Sequence, residues 1–184
     1  MSRVSNLSPP GAPSRQRVFV ALWPTPTVRM RLSEVADRLS RLAVGGRQIA
    51  AANVHLTLAF IGTLQADRVA SLARRLAECA ASEFDWILDR VGHFSGARVV
   101  WAGGPDNEHL RALAATVRQL LDSMDVHFDP KPFAAHVTLL RDVARWTTPQ
   151  YTIEPSIVWR CCAPTLVRSE PGPRGVSYEP VQAE

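Results

Sequence analysis

An α+β fold with antiparallel sheets is predicted by three features of the 184-residue chain. Strand-like and helix-like segments follow one another as β-α-β-α-β-β-α-β and then further strands, without the sustained βαβ alternation that builds a parallel sheet. Three segments carry apolar residues at steps of three and four, the spacing of an amphipathic helix. The remaining regular segments are short runs rich in Val, Leu, Phe and Trp, bounded by Gly and Pro, as strands are. The pattern predicts two lobes, each a sheet backed by helices.

The first strand is the continuous apolar run Val18 to Trp23, stopped by Pro24. Thr25 followed by Pro26 is a helix N-cap with proline in the first turn. The helix places Val28, Leu32, Val35, Leu39 and Leu42 on one face and ends before Gly45-Gly46; Gln48 to Ala52 connects it to the next strand, Asn53 to Gly62. A second amphipathic helix carries Val69, Leu72, Ala73, Leu76 and Ala80. Strands at Phe84 to Val91 and Arg98 to Ala102 read as antiparallel neighbours, and a third helix spans about Asp106 to Met124. After the loop Asp129-Pro130-Lys131-Pro132 come strands at Ala135 to Arg141, Thr152 to Cys161, Thr165 to Ser169 and Val176 to Glu179. Residues 1–16, with Ser, Pro, Gly and Arg but no apolar core, read as a disordered leader rather than a secretory signal, and 17–184 as a single bilobal domain.

A chain of this length buries about 70% of its unfolded surface and needs no covalent staples. No run approaches the roughly 18 apolar residues of a membrane span. The net charge of +4 suits a polyanionic partner but is too small and dispersed to identify one. Cys79, Cys161 and Cys162 form no CxxC pair, which reads as a reduced, cytoplasmic protein without a zinc site.

The chemistry is concentrated in two strands. His55-Leu56-Thr57-Leu58 and His136-Val137-Thr138-Leu139 repeat one pattern. Alternation along a strand puts His55 and Thr57 on one face and Leu56, Leu58 and Phe60 on the other; His136 and Thr138 separate from Val137 and Leu139 in the same way. An unpartnered imidazole or hydroxyl is costly to bury, and a strand built only for packing would carry Val or Ile there. One His-x-Thr strand is commonplace; two with the same parity call for a shared function. The other histidines, His93, His109 and His127, lack the threonine partner and read as surface residues. The tryptophans, mostly in strand runs, read as core; Phe60 and Phe133, beside the signatures, are candidates to stack on a base, with core packing the stronger reading for Phe60.

With these two motifs the chain resembles the two-histidine (2H) phosphoesterases, and within them the bacterial and archaeal RNA 2′,3′-cyclic phosphodiesterases, also called 2′-5′ RNA ligases. The likeness extends to Arg17 to Pro24, Arg98 to Gly103 and Leu166 to Pro180, and covers about residues 17 to 181. Ala135 stands where the pattern has Pro, which leaves the entry to the second signature less constrained. The resemblance implies that the two signature strands face each other across a groove between the lobes. It implies hydrolysis of RNA 2′,3′-cyclic phosphate ends to 2′-phosphates without metal or other cofactor, with 2′-5′ joining as the reverse activity.

Imidazole titrates near neutrality, so one copy can give a proton while another takes one, and two protons must move when water opens a cyclic phosphodiester. By resemblance His55 is the donor to the leaving ribose oxygen and His136 the base; the residues alone leave that order open. Thr57 and Thr138 can donate to non-bridging phosphate oxygens. Arg141, at odd spacing from His136, is either a solvated rim residue or a contact to phosphate or base. The expected partners are RNA ends or small cyclic phosphodiesters, with no membrane, and the expected state is a monomer. A non-catalytic RNA-binding groove would more naturally use Lys, Arg and aromatic residues, and a metallohydrolase would need further ligands beside the two histidines.

Overall fold

A computed structural model describes residues 14–79, 83–148, 150–172 and 175–182. The elements run β1 (Arg15–Leu22), α1 (Pro26–Ser40), β2 (Val44–Gln48), β3 (Leu56–Gln65), α2 (Ala66–Ala77), β4 (Phe84–Phe94) and β5 (Val99–Gly103). They continue as α3 (Glu108–Ser123), β6 (Val137–Arg145), β7 (Tyr151–Cys161), β8 (Thr165–Gly172) and β9 (Gly175–Pro180). Residues 1–13 of the expected leader lie outside the described residues, whereas Arg15 and Gln16, its last two, already pair with Gln65 and Leu64 in the sheet. Ala80, expected on the second helix, also lies outside the described residues.

The helices form where capping and spacing direct them. Thr25 accepts from the Val28 amide at 3.4 Å, and Val28, Leu32, Val35, Ala36 and Leu39 are the buried face of α1. Asn107 caps α3 by accepting from the Leu110 amide at 3.1 Å, while its own amide donates to the Asp85 carbonyl at 3.1 Å and ties the helix to β4. Such caps contribute about 1 kcal/mol each.

The strands are antiparallel throughout and follow the order β7-β4-β5-β6-β3-β1-β8-β9, with β2 alongside β6. One lobe is built on β2, β4, β5, β6 and β7, the other on β1, β3, β8 and β9. Helix α1 packs on the first lobe, against β2, β6 and β7; α2 lies against β1, β3 and β8, and α3 against β3. Apolar side chains from both lobes, including the fully buried Trp86 and Trp159, merge into one main core.

The seam between the lobes has a specific cause. β2 runs along one edge of β6, as far as the bond from the Ile49 amide to the Leu139 carbonyl at 2.9 Å. The chain then makes a short 3-10 turn over Ala51–Asn53 and enters β3, which meets β6 at the pair Leu56 and Val137 before turning away to join β1. The expected facing strands are therefore neighbours that touch at their starts and diverge, leaving a groove between the lobes.

Several boundaries differ from the sequence reading, two of them at glycines. Gly45 and Gly46 do not simply end a helix: both have positive φ, 68° and 96°, and lie in the edge strand β2. Gly62, expected to close its strand, lies inside β3 at φ 86°, where a register slip accommodates it.

Candidate active site

His55 and His136 each stand one residue before a strand, on either side of the Leu56–Val137 pair. Each ring is held in the same way. Nδ1 of His55 donates to the Asn53 carbonyl at 2.6 Å, and Nδ1 of His136 donates to the Ala134 carbonyl at 2.7 Å. A carbonyl can only accept, so the proton of each neutral ring sits on Nδ1 and the lone pair on Nε2. On His55 that lone pair accepts from the Thr57 hydroxyl at 3.0 Å. Nε2 of His55 thus carries the lone pair, and the same tautomer applies to His136.

Aromatic side chains enclose both rings. Trp23 stacks on His55 with 5.9 Å between ring centroids and 10° between planes, and Phe19 and Tyr178 close two further sides at 4.8 and 5.2 Å. Around His136, Phe94 stands edge-on at 5.1 Å and Trp101 at 6.4 Å. Trp101 can lie there because Gly92 opposite it on β4 has no side chain: a Cβ at that position would overlap the indole. The tryptophans expected in the core therefore divide, with Trp86 and Trp159 in the core and Trp23 and Trp101 against the histidines.

Burial pushes the His55 pKa down to about 4; the Asn53 carbonyl opposes this, and the positive charges of Arg141 and His136 add to the depression. His136 is lowered from 6.5 by burial first and by Arg141 second, against the pull of the Ala134 carbonyl. Both shifts favour the neutral form of the ring.

The two threonines and Arg141 border the same groove as the histidines, a cavity of about 310 Å³. Arg141 reaches it because β6 is not regular. Thr138 pairs with Trp101 and Leu140 with Val100, so Leu139 is an extra residue on β6. This bulge makes Leu139 and Leu140 both buried and brings Arg141 back to the face of His136 and Thr138. β3 repeats the device: Thr57 pairs with Ala21 and Ala59 with Val20, leaving Leu58 as the extra residue. Phe60, expected in the core by simple alternation, is consequently 51% exposed and lines the groove. The two motifs thus match residue for residue up to Phe60 and Arg141, where an aromatic ring on one strand corresponds to a guanidinium on the other.

The segment before β6 is held without the missing proline. The Asp129 amide donates to the Phe60 carbonyl at 2.8 Å, and Arg118 donates to the Lys131 carbonyl at 2.8 Å. Phe133 lines the groove alongside them. His109 and His127 are exposed as expected. His93 is not in a turn: it lies in β4, half-buried, with Nε2 enclosed and without a hydrogen-bond partner. Sequence reasoning also passed over Asn53, whose side chain donates to the Val176 carbonyl at 2.6 Å and accepts from the Tyr178 amide at 3.1 Å, clamping β9 beside His55. Its place two residues before the histidine was the available signal. Among the described residues no three His, Cys, Asp or Glu side chains come together, and no helix is long and apolar enough to cross a membrane.

Residues 22–101 match the family described as LigT-like phosphoesterase. An RNA 2′,3′-cyclic phosphodiesterase of Archaeoglobus fulgidus is 30% identical over 128 residues, 68% of this chain and 72% of that protein. A protein of the same description from Escherichia coli is 35% identical over 104 residues, 56% of this chain and 59% of the relative. The crystal structure of E. coli LigT complexed with 3′-AMP superimposes with a TM-score of 0.81 at 26% identity, covering 92% of this chain and 97% of the other.

Proposed function

Because this chain belongs to the LigT-like phosphoesterase family, we propose that it hydrolyses RNA 2′,3′-cyclic phosphodiester ends to 2′-phosphomonoesters by acid-base exchange between His55 and His136. The observation that carries this reading is the pair of histidines fixed through Nδ1 to backbone carbonyls on either side of one strand contact, with a threonine two residues beyond each. An activity of the same kind stands in the descriptions of the relatives from A. fulgidus and E. coli.

In the proposed reaction one imidazole Nε2 takes a proton from water as the oxygen of that water forms a bond to phosphorus. The bond from phosphorus to the ribose 3′ oxygen breaks, and the other Nε2 supplies the proton to that oxygen. The 2′-phosphate remains. His55 is assigned as the donor and His136 as the base. That order rests on the family resemblance, since burial favours the unprotonated form of both rings. Thr57, whose hydroxyl is within hydrogen-bond distance of His55 Nε2, and Thr138 donate to the non-bridging oxygens. Arg141 supplies positive charge to the anionic phosphate. With a 5′-hydroxyl in place of water as the nucleophile, the same displacement of the 3′ oxygen joins the two ends through a 2′-5′ bond.

The exposed free thiol of Cys162 suits the reducing cytoplasm, and we place the protein there as a monomer with one bilobal domain whose first strand starts at Arg15. The deciding experiment is product analysis on a short RNA ending in a 2′,3′-cyclic phosphate, in EDTA. Appearance of the 2′-monoester is expected; a 3′-monoester or no turnover would overturn the reading.

A further inference from the structure

The groove at the histidines opens into a second, larger cleft of about 800 Å³ that shares Phe60, Asp129 and Arg141 with it. The floor of this cleft is the outer face of the second lobe. Helix α2 covers the other face of that sheet, where Val18 and Val20 join the main core. On the cleft side three side chains stand in a row across three strands, because Arg17 of β1 pairs with Ser169 of β8, and Ser169 pairs with Tyr178 of β9. Phe19, two residues after Arg17 and on the same face, links the row to His55, which it meets at 4.8 Å, and to Tyr178 at 5.0 Å. The row therefore begins at the candidate active site and leads away from it.

The chemistry of the cleft is cationic and aromatic. Among the described residues neither Arg17 nor Arg141 has a carboxylate within ion-pair distance. The carboxylate at the junction, Asp129, is taken up by the amide and the ammonium of Lys131, both at 3.1 Å. Phe60 and Tyr178 offer ring surface, and Ser169 a hydroxyl. Unpaired cations interleaved with aromatic rings along an open groove are what a single-stranded nucleic acid requires, phosphates on the former and bases on the latter.

We infer that the open face of β1, β8 and β9 binds the RNA strand on the 5′ side of the cyclic phosphate, with Arg17 holding a backbone phosphate. The inference rests on the activity proposed above. The two clefts divide the substrate by size. The smaller one has room for the terminal nucleoside, and the larger for the nucleotides that precede it. The cyclic phosphate on the terminal ribose lies in the smaller cleft at the histidines and Arg141, and the 5′ side of that ribose leads toward the larger one. Arg17 is then a specificity residue for chain length, remote from the reacting atoms.

Turnover of a 2′,3′-cyclic mononucleotide is to be compared with that of a tetranucleotide bearing the same cyclic end, in the intact protein and in Arg17→Gln and Arg17→Glu. The intact protein is expected to favour the tetranucleotide in kcat/KM. Arg17→Glu should lower kcat/KM for the tetranucleotide about tenfold, through KM, and leave the mononucleotide within about twofold. Equal losses on both substrates, or no loss on either, would overturn the inference. A second measurement is independent of turnover. A labelled tetranucleotide ending in a 2′-phosphate should bind the intact protein with a salt dependence whose log-log slope falls by about 0.7 in Arg17→Gln. Unchanged binding and slope would overturn the site even if no cyclic end were hydrolysed, while absence of turnover by the intact protein on either substrate would strike the proposed activity.

Discussion

Leu56 of β3 pairs with Val137 of β6, and this one antiparallel contact sets the geometry of the groove. Antiparallel strands run in opposite directions from any pair. One residue further each way, the register sets His55 against Thr138 and Thr57 against His136. Four side chains from two distant segments therefore share one face around a local two-fold relation. The contact is confined to the strand starts because β2 occupies the edge of β6 immediately beyond it. Four predictions test the arrangement.

Replacing His55 or His136 by Ala is expected to lower kcat by at least about 10²-fold, the usual size of a general acid or base contribution. Both rings are half-buried and stand outside the main core, so the variants should remain folded by circular dichroism. Near-normal turnover in either one would remove the two-histidine mechanism.

Thr57→Ala and Thr138→Ala should each cost roughly 1–4 kcal/mol of transition-state stabilisation, read from kcat/KM. Thr57→Ser should recover most of the loss, since the hydroxyl rather than the methyl group is required. Full activity in both alanine variants would make the hydroxyls structural.

Gly92→Ala tests the support behind His136. The new methyl group would overlap the Trp101 indole, so the ring must move from its place beside His136. Overpacking of this kind costs about 1–3 kcal/mol, and a lower melting temperature with reduced kcat is expected. A variant unchanged in both would show that the position of the indole has no bearing on the histidine.

The pH profile is set by the direction of the two shifts. The productive free enzyme carries one proton on the histidine pair, a form that exists between the two macroscopic pKa values of the pair. Burial lowers both rings below 6.5, His55 to about 4, so this form is lost as pH rises through the upper value and overprotonated as pH falls through the lower. A bell in kcat/KM centred below pH 6.5 is expected, below the ordinary imidazole range. A bound anionic phosphate favours the protonated rings, so the bell in kcat should lie at higher pH. EDTA should change neither. A rate rising steadily into alkaline pH, or abolished by chelation, would point to a metal-bound hydroxide.

The amino-acid sequence by itself determined the α+β class, the three helices and the repeated His-x-Thr pattern, because capping residues, apolar spacing and strand parity are local properties. It also determined that each threonine shares a face with its histidine, since two residues along a strand is one full period. What it did not determine was the phase beyond Thr57 and Thr138. Phe60 read as core and Arg141 as ambiguous because alternation was carried through Leu58-Ala59 and Leu139-Leu140 without interruption. Two adjacent buried residues in each motif were the trace of a bulge, but a bulge is defined by the partner strand, and neither β1 nor β5 is adjacent in sequence to the strand it distorts. The depression of both histidine pKa values was likewise decided only in three dimensions. It arises from burial against Phe19, Trp23 and Tyr178 on one side and Phe94 and Trp101 on the other, residues gathered from four strands and a loop whose proximity exists only once the two lobes have closed on their shared core.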